Sequence, residues 1–385
     1  MEIDIGLWAG IGFFLAAYAV VGNDALQTLG TFINSNDQVH WTVLFAFAAS
    51  IVIVVFYWGY FGLNFDLATF SFSQGTVGDT SFGRLNNTDK YRIFDPQWYH
   101  ALPPLTLLIL TRFGIPVSTT FMVLSIFATM SGLTSMLTKS LLGYGLAFVV
   151  GGLIYAALAP TLERWFLKTA NTHRATHWVI LQWTTTAYLW GVWLMQDFAN
   201  IFIFLPRGVN ADGSAALNFW EASAGIAGIV LLLAYTFWNR GGPVQRILRS
   251  KSNVRDIRSA TIIDFTYASL LFYFKEMNDI PMSTTWVFLG LIAGREFAIA
   301  TIDAIRSPVA TARIVGSDAA KAFIGLFISV GLAVALPPAA ECLRGESDRG
   351  FGQCFQTSFT ARLYDITLAT AVKPAKRPVR TTRKL

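Results

Sequence analysis

One short polar pattern occurs twice in this otherwise apolar chain. It reads PVSTT at residues 116–120 and PMSTT at residues 281–285. Hydroxyl groups that follow a proline can cap the free N–H groups at the start of a helix, so each run predicts a helix start that presents donors to a ligand. Capping of the helix alone is the simpler role for the same hydroxyls. The candidate donors are Ser118, Thr119, Thr120, Ser283, Thr284 and Thr285.

A second pattern combines one aspartate with two carboxamides, and it also occurs twice. The members are Asn23, Asp24 and Gln27 in the first cluster and Gln196, Asp197 and Asn200 in the second. A residue three positions after an aspartate lies on the same face of a helix. An aspartate at the centre of a bilayer costs about 2.5–3.5 kcal/mol on the insertion scale. A polar clamp between packed helices is the alternative role, but the duplication favours an ion site.

The composition predicts a membrane protein with several spans. The chain has 385 residues, of which 54% are hydrophobic and 14% are charged, and its mean hydropathy is +0.50. Soluble domains seldom reach these values. Six stretches are long and apolar enough to cross a hydrocarbon core of about 30 Å. These predicted spans cover about 5–33, 41–63, 140–160, 177–206, 219–238 and 322–338.

Two further apolar stretches, 99–136 and 262–305, carry the Ser-Thr-Thr runs near their middle. Apolar sequence on both sides of a capped proline turn predicts a re-entrant hairpin whose tip is the run. The interval from aspartate to serine is 94 residues in the first half of the chain and 86 in the second. Three spans separate the halves, so the second copy enters the membrane inverted.

The predicted fold is an all-α polytopic membrane protein with two inverted repeats, each with a broken polar helix and a re-entrant helical hairpin. The first repeat is expected at 1–165 and the second at 166–340. An outer loop and a basic tail are expected at 341–385. The start of the chain lacks the basic segment of a cleaved signal, so we expect no cleavage.

The distribution of basic residues predicts the orientation of the chain in the membrane, and the orientation in turn places the two cysteines. The loop at 239–261 has six Lys or Arg residues and is therefore expected in the cytoplasm. This position explains the basic net charge without nucleic-acid binding. Cys342 and Cys354 share a polar loop that this orientation places outside, where a structural disulfide is expected.

The motifs do not favour an enzyme. The chain contains no HExxH, no GxSxG and no Gly-rich phosphate loop followed by Lys and Ser or Thr. Its four histidines fall at predicted span ends or in loops. An intramembrane lipid-modifying enzyme is a weaker alternative, and it would need a nucleophile or base that the sequence does not identify.

Together the four polar elements resemble the inorganic phosphate transporter family, which comprises the Pit and sodium-dependent phosphate symporters. Residues 21–31, VGNDALQTLGT, are similar to the family signature GANDVANAVGT. Residues 181–200 are similar to its second copy and keep the aspartate and the final asparagine. GIPVSTT at 114–120 is similar to the family's GxPVSTTH, and 280–285 is similar to its partner. The resemblance therefore covers both halves of the chain.

The chain also departs from the family pattern. Phe121 and Trp286 occupy the positions where the family has a histidine after each Ser-Thr-Thr run. Gln27 and Gln196 replace asparagines, an exchange that keeps the donor and the acceptor and lengthens the side chain. Residues 46–50 lack the glutamate that family members usually carry in the second span. The chain is thus expected to be a divergent member whose ion or substrate can differ.

The resemblance implies a secondary active transporter that carries inorganic phosphate across the plasma membrane in symport with a cation. Two buried carboxylates would repel an oxyanion, so cations must enter with it. Sodium would be bound by Asn23, Asp24, Gln196 and Asp197. The oxyanion would be bound by the two Ser-Thr-Thr runs together with Gln27 and Asn200.

Several alternatives remain within this interpretation. A permease for sulfate or another oxyanion would share the fold, and an anion channel is a less favoured alternative. The coupling ions can be sodium ions or protons, and no other cofactor is expected. The expected partners are the oxyanion and membrane lipid, with a homodimer as an option. The expected location is the cell (inner) membrane.

Overall fold

A computed structural model describes most of the chain. The described residues are 6–61, 63–66, 71–74, 91–92, 95–113, 115–169, 175–207, 216–240, 256–273, 283–302, 307–343 and 350–371. Pro281, the centre of the basic loop at 241–255 and the basic tail after residue 371 lie outside the described residues.

The first half of the chain forms long helices and one broken segment. Its helices are α1 (Leu7–Ser35), α2 (Trp41–Tyr60), α3 (Leu102–Arg112), α4 (Thr119–Leu124) and α5 (Met130–Leu158). A turn of 3-10 helix at Trp98–Ala101 leads into α3. Two prolines occupy the first turn of α3, where a missing N–H removes no helical hydrogen bond.

A small β-hairpin accompanies the helices, which confirm the prediction of a nearly all-helical fold. Strands β1 (Leu63–Asp66) and β2 (Ser71–Gln74) pair antiparallel between α2 and α3. The sequence of β1, LNFD, alternates apolar and polar residues, which is the period expected of a strand. The second predicted span was extended to residue 63, where β1 begins, so the strand pattern was not recognised.

The second half of the chain is also mainly helical. It begins with a π-helical turn at Ala159–Glu163 and the short helix α6 (Arg164–Lys168). The later helices are α7 (Thr176–Phe202), α8 (Phe219–Trp238), α9 (Ile257–Leu271), α10 (Thr284–Ile302), α11 (Pro308–Leu343) and α12 (Phe351–Ala371).

Five helices in the described part of the chain are long and apolar enough to cross a membrane, namely α1, α2, α5, α8 and α11. They confirm the coarse prediction of a helical protein with several membrane-spanning segments. The predicted fourth span forms α7, a single helix of 27 residues that is not among these five. At about 1.5 Å per residue α7 is long enough to span the bilayer. Its polar side chains keep its hydropathy lower.

Large apolar side chains on the outside of the bundle fit this assignment. Phe327 is 81% exposed, Leu231 is 72% exposed and Leu153 is 67% exposed. They lie on α11, α8 and α5, three of the five apolar helices. Exposed large apolar side chains on several helices are expected where those helices face lipid.

The region after residue 340 differs from its prediction. It was expected to be a loop, but 21 of its residues form α12. The expected disulfide is present: Cys342 at the end of α11 is bonded to Cys354 in the first turn of α12, with 5.8 Å between their Cα atoms. Helix α12 packs on α11 and on α5.

Helices α1 and α7 pack against each other at the centre of the bundle, and they run antiparallel. Asn36, just after the end of α1, donates a hydrogen bond to Gln182 near the start of α7 at 3.0 Å. Further along, the polar clusters of the two helices both contact α4. This antiparallel arrangement brings Asp24 and Asp197 to the same level of the bundle.

The closest helix packing joins α5 and α10. A Cβ atom on Gly294 would lie 2.6 Å from the backbone nitrogen of Gly152 and in severe overlap with the carbonyl oxygen of Phe148. A Cβ on Gly290 would overlap the carbonyl oxygen of Tyr144 in the same way. Glycines four residues apart let two membrane helices approach closely. This contact fixes α10 and therefore the second Ser-Thr-Thr run.

Candidate functional site

The first Ser-Thr-Thr run forms the start of α4, after an extended segment that follows α3. Ser118 is the N-cap residue, and its hydroxyl accepts a hydrogen bond from the Phe121 N–H at 3.1 Å. The cap places Thr119 and Thr120 in the first turn of α4, where neighbouring side chains point in different directions. Consequently, the two threonines contact different helices.

Thr119 contacts the carboxylate of Asp24 on α1. Its hydroxyl donates a hydrogen bond to Asp24 Oδ2. The Asn23 side-chain amide donates to Asp24 Oδ1 at 2.5 Å and to the Val117 carbonyl oxygen at 2.9 Å. These bonds attach the amide–aspartate cluster of α1 to the segment that precedes α4.

Thr120 contacts the carboxylate of Asp197 on α7. Its hydroxyl donates to Asp197 Oδ1 at 3.2 Å. The Asn200 amide donates to the same oxygen at 2.5 Å, and it also lies 3.3 Å from the Thr119 hydroxyl and 3.2 Å from the Thr120 hydroxyl. The first turn of α4 therefore lies between the two carboxylates.

The second Ser-Thr-Thr run reaches the same place from α10. The Thr285 hydroxyl donates to the Val117 carbonyl oxygen at 3.1 Å and also interacts with the Asp24 carboxylate. The Ser283 hydroxyl accepts a hydrogen bond from the Trp286 N–H at 3.4 Å, as an N-cap does. Both runs and both amide–aspartate clusters thus meet in one cluster, which we call the central polar cluster.

Most side chains of the central polar cluster are shielded from solvent, while Thr120 is half-buried. Asp24 and Asn200 are 0% exposed, Asp197 is 1% exposed and Thr285 is 0% exposed. The carboxylates of Asp24 and Asp197 are close enough to repel each other. Among the described residues, no Lys, Arg or His side chain is among the groups that interact with Asp24. Two buried carboxylates that repel each other require protons or cationic groups close by.

Three buried oxygen atoms in this region have no hydrogen-bond partner in the described part of the chain. They are Gln27 Oε1, Asn200 Oδ1 and Thr284 Oγ1. A buried carbonyl oxygen without a donor is costly unless a ligand satisfies it. Carbonyl, carboxylate and hydroxyl oxygens are the ligands that hard cations prefer. The cluster therefore offers the oxygen ligands that a hard cation prefers.

The predicted site residues differ in how directly they take part. Ser118 and Ser283 cap their own helices, and no hydrogen bond to either carboxylate is found for them among the described residues. Gln27 lies on the Asp24 face of α1, with its amide 3.5 Å from Asp24 Oδ1. Gln196 is buried on α7 beside Asp197.

Two participants were missed by the sequence analysis. The Val117 carbonyl oxygen receives hydrogen bonds from Asn23 and Thr285, a backbone role that no residue type indicates. Tyr267 of α9 is fully buried, and its hydroxyl donates to the Thr284 carbonyl oxygen at 2.9 Å. It also interacts with both carboxylates of the cluster. A tyrosine in a long apolar stretch of sequence does not by itself indicate a functional site.

The donor set does not resemble a transition-metal site. No group of three or more His, Cys, Asp or Glu side chains at metal-binding distance occurs among the described residues.

Comparison of the chain with protein-family models, with curated proteins and with solved structures found no match. The assignment of function therefore depends on the geometry and on the sequence resemblance alone.

Proposed function

We propose that this protein is a cation-coupled symporter of a small tetrahedral oxyanion, with inorganic phosphate as the first candidate and sulfate as the second. One observation carries the proposal. The buried carboxylates of Asp24 on α1 and Asp197 on α7 bind consecutive hydroxyl groups of α4, and no basic side chain of the described residues contacts Asp24.

Sodium is the coupling ion that this cluster suits best. Two carboxylates supply the negative charge. The carbonyl oxygens of Gln27 and Asn200, which have no partner in the described part of the chain, supply neutral ligands. A proton would need only the carboxylates and would leave those carbonyl oxygens without a partner. We therefore assign sodium binding to the Asp24 and Asp197 pair with Asn23 and Gln196 beside them.

The oxyanion is assigned to the adjoining start of α10. This helix has 19 residues, so its N-terminus carries a partial positive charge and free N–H groups. Thr284 in its first turn is 1% exposed, and its hydroxyl oxygen has no partner among the described residues. Bound sodium ions would offset the repulsion between the oxyanion and the two carboxylates. This dependence of one charge on the other is the physical basis of symport.

The helix contacts support the proposal of two inverted repeats. Helix α1 packs on α3 as α7 packs on α9, and α1 packs on α8 as α7 packs on α2. Helix α4 packs on α11 as α10 packs on α5. If α1 to α5 are matched in order with α7 to α11, the first contact of each pair becomes the second. Sites between such repeats are typical of secondary transporters.

An anion channel is the second candidate, and the burial of both carboxylates favours transport over it. A channel needs a continuous path, whereas Asp24 and Asp197 have almost no solvent exposure. A buried ion site of this kind fits alternating access. The proposed location is the cell (inner) membrane, in keeping with the five apolar helices.

Uptake of labelled phosphate into proteoliposomes tests the proposal. The sodium and proton gradients are set independently, and unlabelled sulfate is added as a competitor. We expect saturable accumulation against the phosphate gradient that requires inward sodium. Flux that rises linearly with driving force and does not accumulate phosphate would instead identify a channel.

Thr119→Val is expected to raise the half-saturating sodium concentration about 10-fold or more. The hydroxyl of Thr119 bonds to Asp24 Oδ2, and a hydrogen bond to a charged group contributes about 1.5–3 kcal/mol. Thr119→Ser keeps the hydroxyl and serves as the matched control, with uptake close to that of the wild type. Equal sodium dependence in the valine and serine variants would show that Thr119 is not part of the cation site.

Thr284→Val is expected to raise the half-saturating phosphate concentration about 3- to 10-fold, because a neutral hydrogen bond contributes about 0.5–1.5 kcal/mol. The half-saturating sodium concentration should change less. Thr284→Ser retains the hydroxyl and is the control. If the valine variant altered only the sodium dependence, the start of α10 would belong to the cation site.

A further inference from the structure

A third carboxylate lies in the helix bundle outside the central polar cluster. Asp264 of α9 is 0% exposed. The Thr31 hydroxyl of α1 donates to Asp264 Oδ1 at 2.5 Å, and the Thr186 hydroxyl of α7 donates to Asp264 Oδ2 at 2.6 Å. Thr31 lies two helical turns beyond Asp24, at about 1.5 Å per residue. Asp264 therefore forms a separate site between three helices.

Neutral polar groups continue this site toward the end of α1. The Gln182 amide donates to the Thr186 hydroxyl at 3.1 Å, and the Asn36 amide donates to the Gln182 side-chain oxygen at 3.0 Å. The indole N–H of Trp183 lies 3.4 Å from Asn36 Oδ1. None of these groups carries a charge that could balance an ionised Asp264.

No charged side chain on the neighbouring helices balances it either, within the described residues. The groups that interact with Asp264 are Thr186, Thr31 and Gln182. The nearest acids on α1 and α7 belong to the central polar cluster. On α9 itself Arg258 is paired with Asp256, and on α10 Arg295 is paired with Glu296. Two tyrosines of the described residues lie nearby: Tyr267, one turn further along α9 and bonded to α10, and Tyr188 of α7, whose ring is 6.4 Å from that of Phe265.

The hydrogen bonds favour a proton over a metal cation at Asp264. In the central polar cluster, the carbonyl oxygens of Gln27 and Asn200 have no partner among the described residues, as expected of cation ligands. Around Asp264, among the described residues, the buried side-chain atoms of Thr31, Thr186 and Gln182 all have partners. A carboxylate in such a shell avoids the cost of a buried charge by binding a proton.

We propose that Asp264 is a proton-binding site that is distinct from the Asp24 and Asp197 pair and supplies a second coupling ion. Its place in a transport cycle rests on the proposed function. A proton from water binds Asp264 Oδ1 and forms the neutral acid when α9 closes on α1 and α7. The same proton returns to water when these helices separate.

The hydrogen-bond directions identify the oxygen that carries the proton. The Thr186 hydroxyl accepts from Gln182, so its own hydrogen points to Asp264 Oδ2. The Thr31 hydroxyl has no such donor among its described contacts, and it can turn to accept the proton held on Oδ1. Intramembrane acids in shells of this kind serve as proton relays in pumps and transporters.

Infrared spectroscopy of the purified protein tests the proton site without any transport assay. The background is the variant Asp24→Asn/Asp197→Asn, which removes the acids of the central polar cluster. We expect a carbonyl band of a buried protonated acid near neutral pH, and we expect Asp264→Asn to eliminate it. A band that persists in Asp264→Asn would overturn the proposal.

A second pair of variants keeps the test decisive if Asp264→Asn does not fold. Thr186→Val removes the donor to Oδ2, so the ionised form loses a hydrogen bond and the band should persist to higher pH. Thr186→Ser keeps the donor and should leave the titration of the band unchanged. The same titration in both variants would overturn the proposal.

The test also separates this proposal from the proposed function. If sodium-driven phosphate uptake is absent but the band depends on Asp264, the proton site stands and the transport function fails. If uptake is driven by sodium and the band does not depend on Asp264, the transport function stands and the proton site fails. If both the transport function and the proton site are correct, Asp264→Asn should make uptake independent of the proton gradient.

Discussion

Asp24→Asn and Asp197→Asn are each expected to abolish sodium-coupled phosphate uptake while the protein still inserts into the membrane. Each substitution removes the charge that binds the cation and keeps the shape of the side chain. Loss of one member of a buried charge pair typically costs about 3–5 kcal/mol. This cost corresponds to at least a ~100-fold loss of sodium affinity. Uptake in proteoliposomes and equilibrium sodium binding measure the effect.

Glu221→Gln is the matched control for these two variants. Glu221 is 6% exposed in the first turn of α8, where it forms a capping box with Asn218. Glutamine can form the same capping box, so this variant removes a buried carboxylate outside the central polar cluster without removing the cap. It should transport like the wild type. Normal uptake by either aspartate variant would refute their assignment as cation ligands.

Gly294→Ala is expected to have the largest effect on stability. The added methyl group would lie 2.6 Å from the Gly152 backbone nitrogen and would overlap the Phe148 carbonyl oxygen, and backbone atoms cannot move aside as a side chain can. Overpacking in a tight core costs about 1–3 kcal/mol, and sometimes more. We expect a clearly lower thermal unfolding midpoint in detergent and weaker phosphate uptake, because α10 carries the second Ser-Thr-Thr run.

Gly152→Ala provides the control for this contact on the facing helix. A methyl group there would lie 3.8 Å from the nearest atom, the Gly294 carbonyl oxygen, which is ordinary van der Waals contact. This variant should unfold at the same temperature as the wild type. Equal destabilisation by the two substitutions would show that helix propensity or lipid contact, rather than the close approach of α5 and α10, determines the stability.

The large elements of the fold could be predicted because each one follows from its own residues. Apolar length identified α1, α2, α5, α8 and α11, and Ser118 identified the start of α4. The Cys342–Cys354 bond followed from two cysteines in one loop. Helix α12 was missed because its polar and aromatic residues have no long apolar run, and the β-hairpin was hidden by the apolar end of α2.

The contacts within the central polar cluster could be predicted only in part. The types and spacing of its residues indicated a shared site, but the partners of each hydroxyl depend on helix packing. Thr119 contacts Asp24 and Thr120 contacts Asp197 because α4 lies between α1 and α7, and this position is not encoded near residue 119. Asp264 did carry a signal, since an acid in an apolar stretch is a candidate site by itself. The two inverted repeats stay a prediction.

The central claim is that cation and oxyanion share one buried site, and linked binding tests it most directly. The measurement is phosphate affinity of the purified protein at several sodium concentrations, together with sodium affinity at several phosphate concentrations. Binding linkage requires both affinities to change by the same factor. We predict an increase of about 5- to 150-fold in each direction, lost in Asp24→Asn. Phosphate affinity that does not change with sodium would contradict the account.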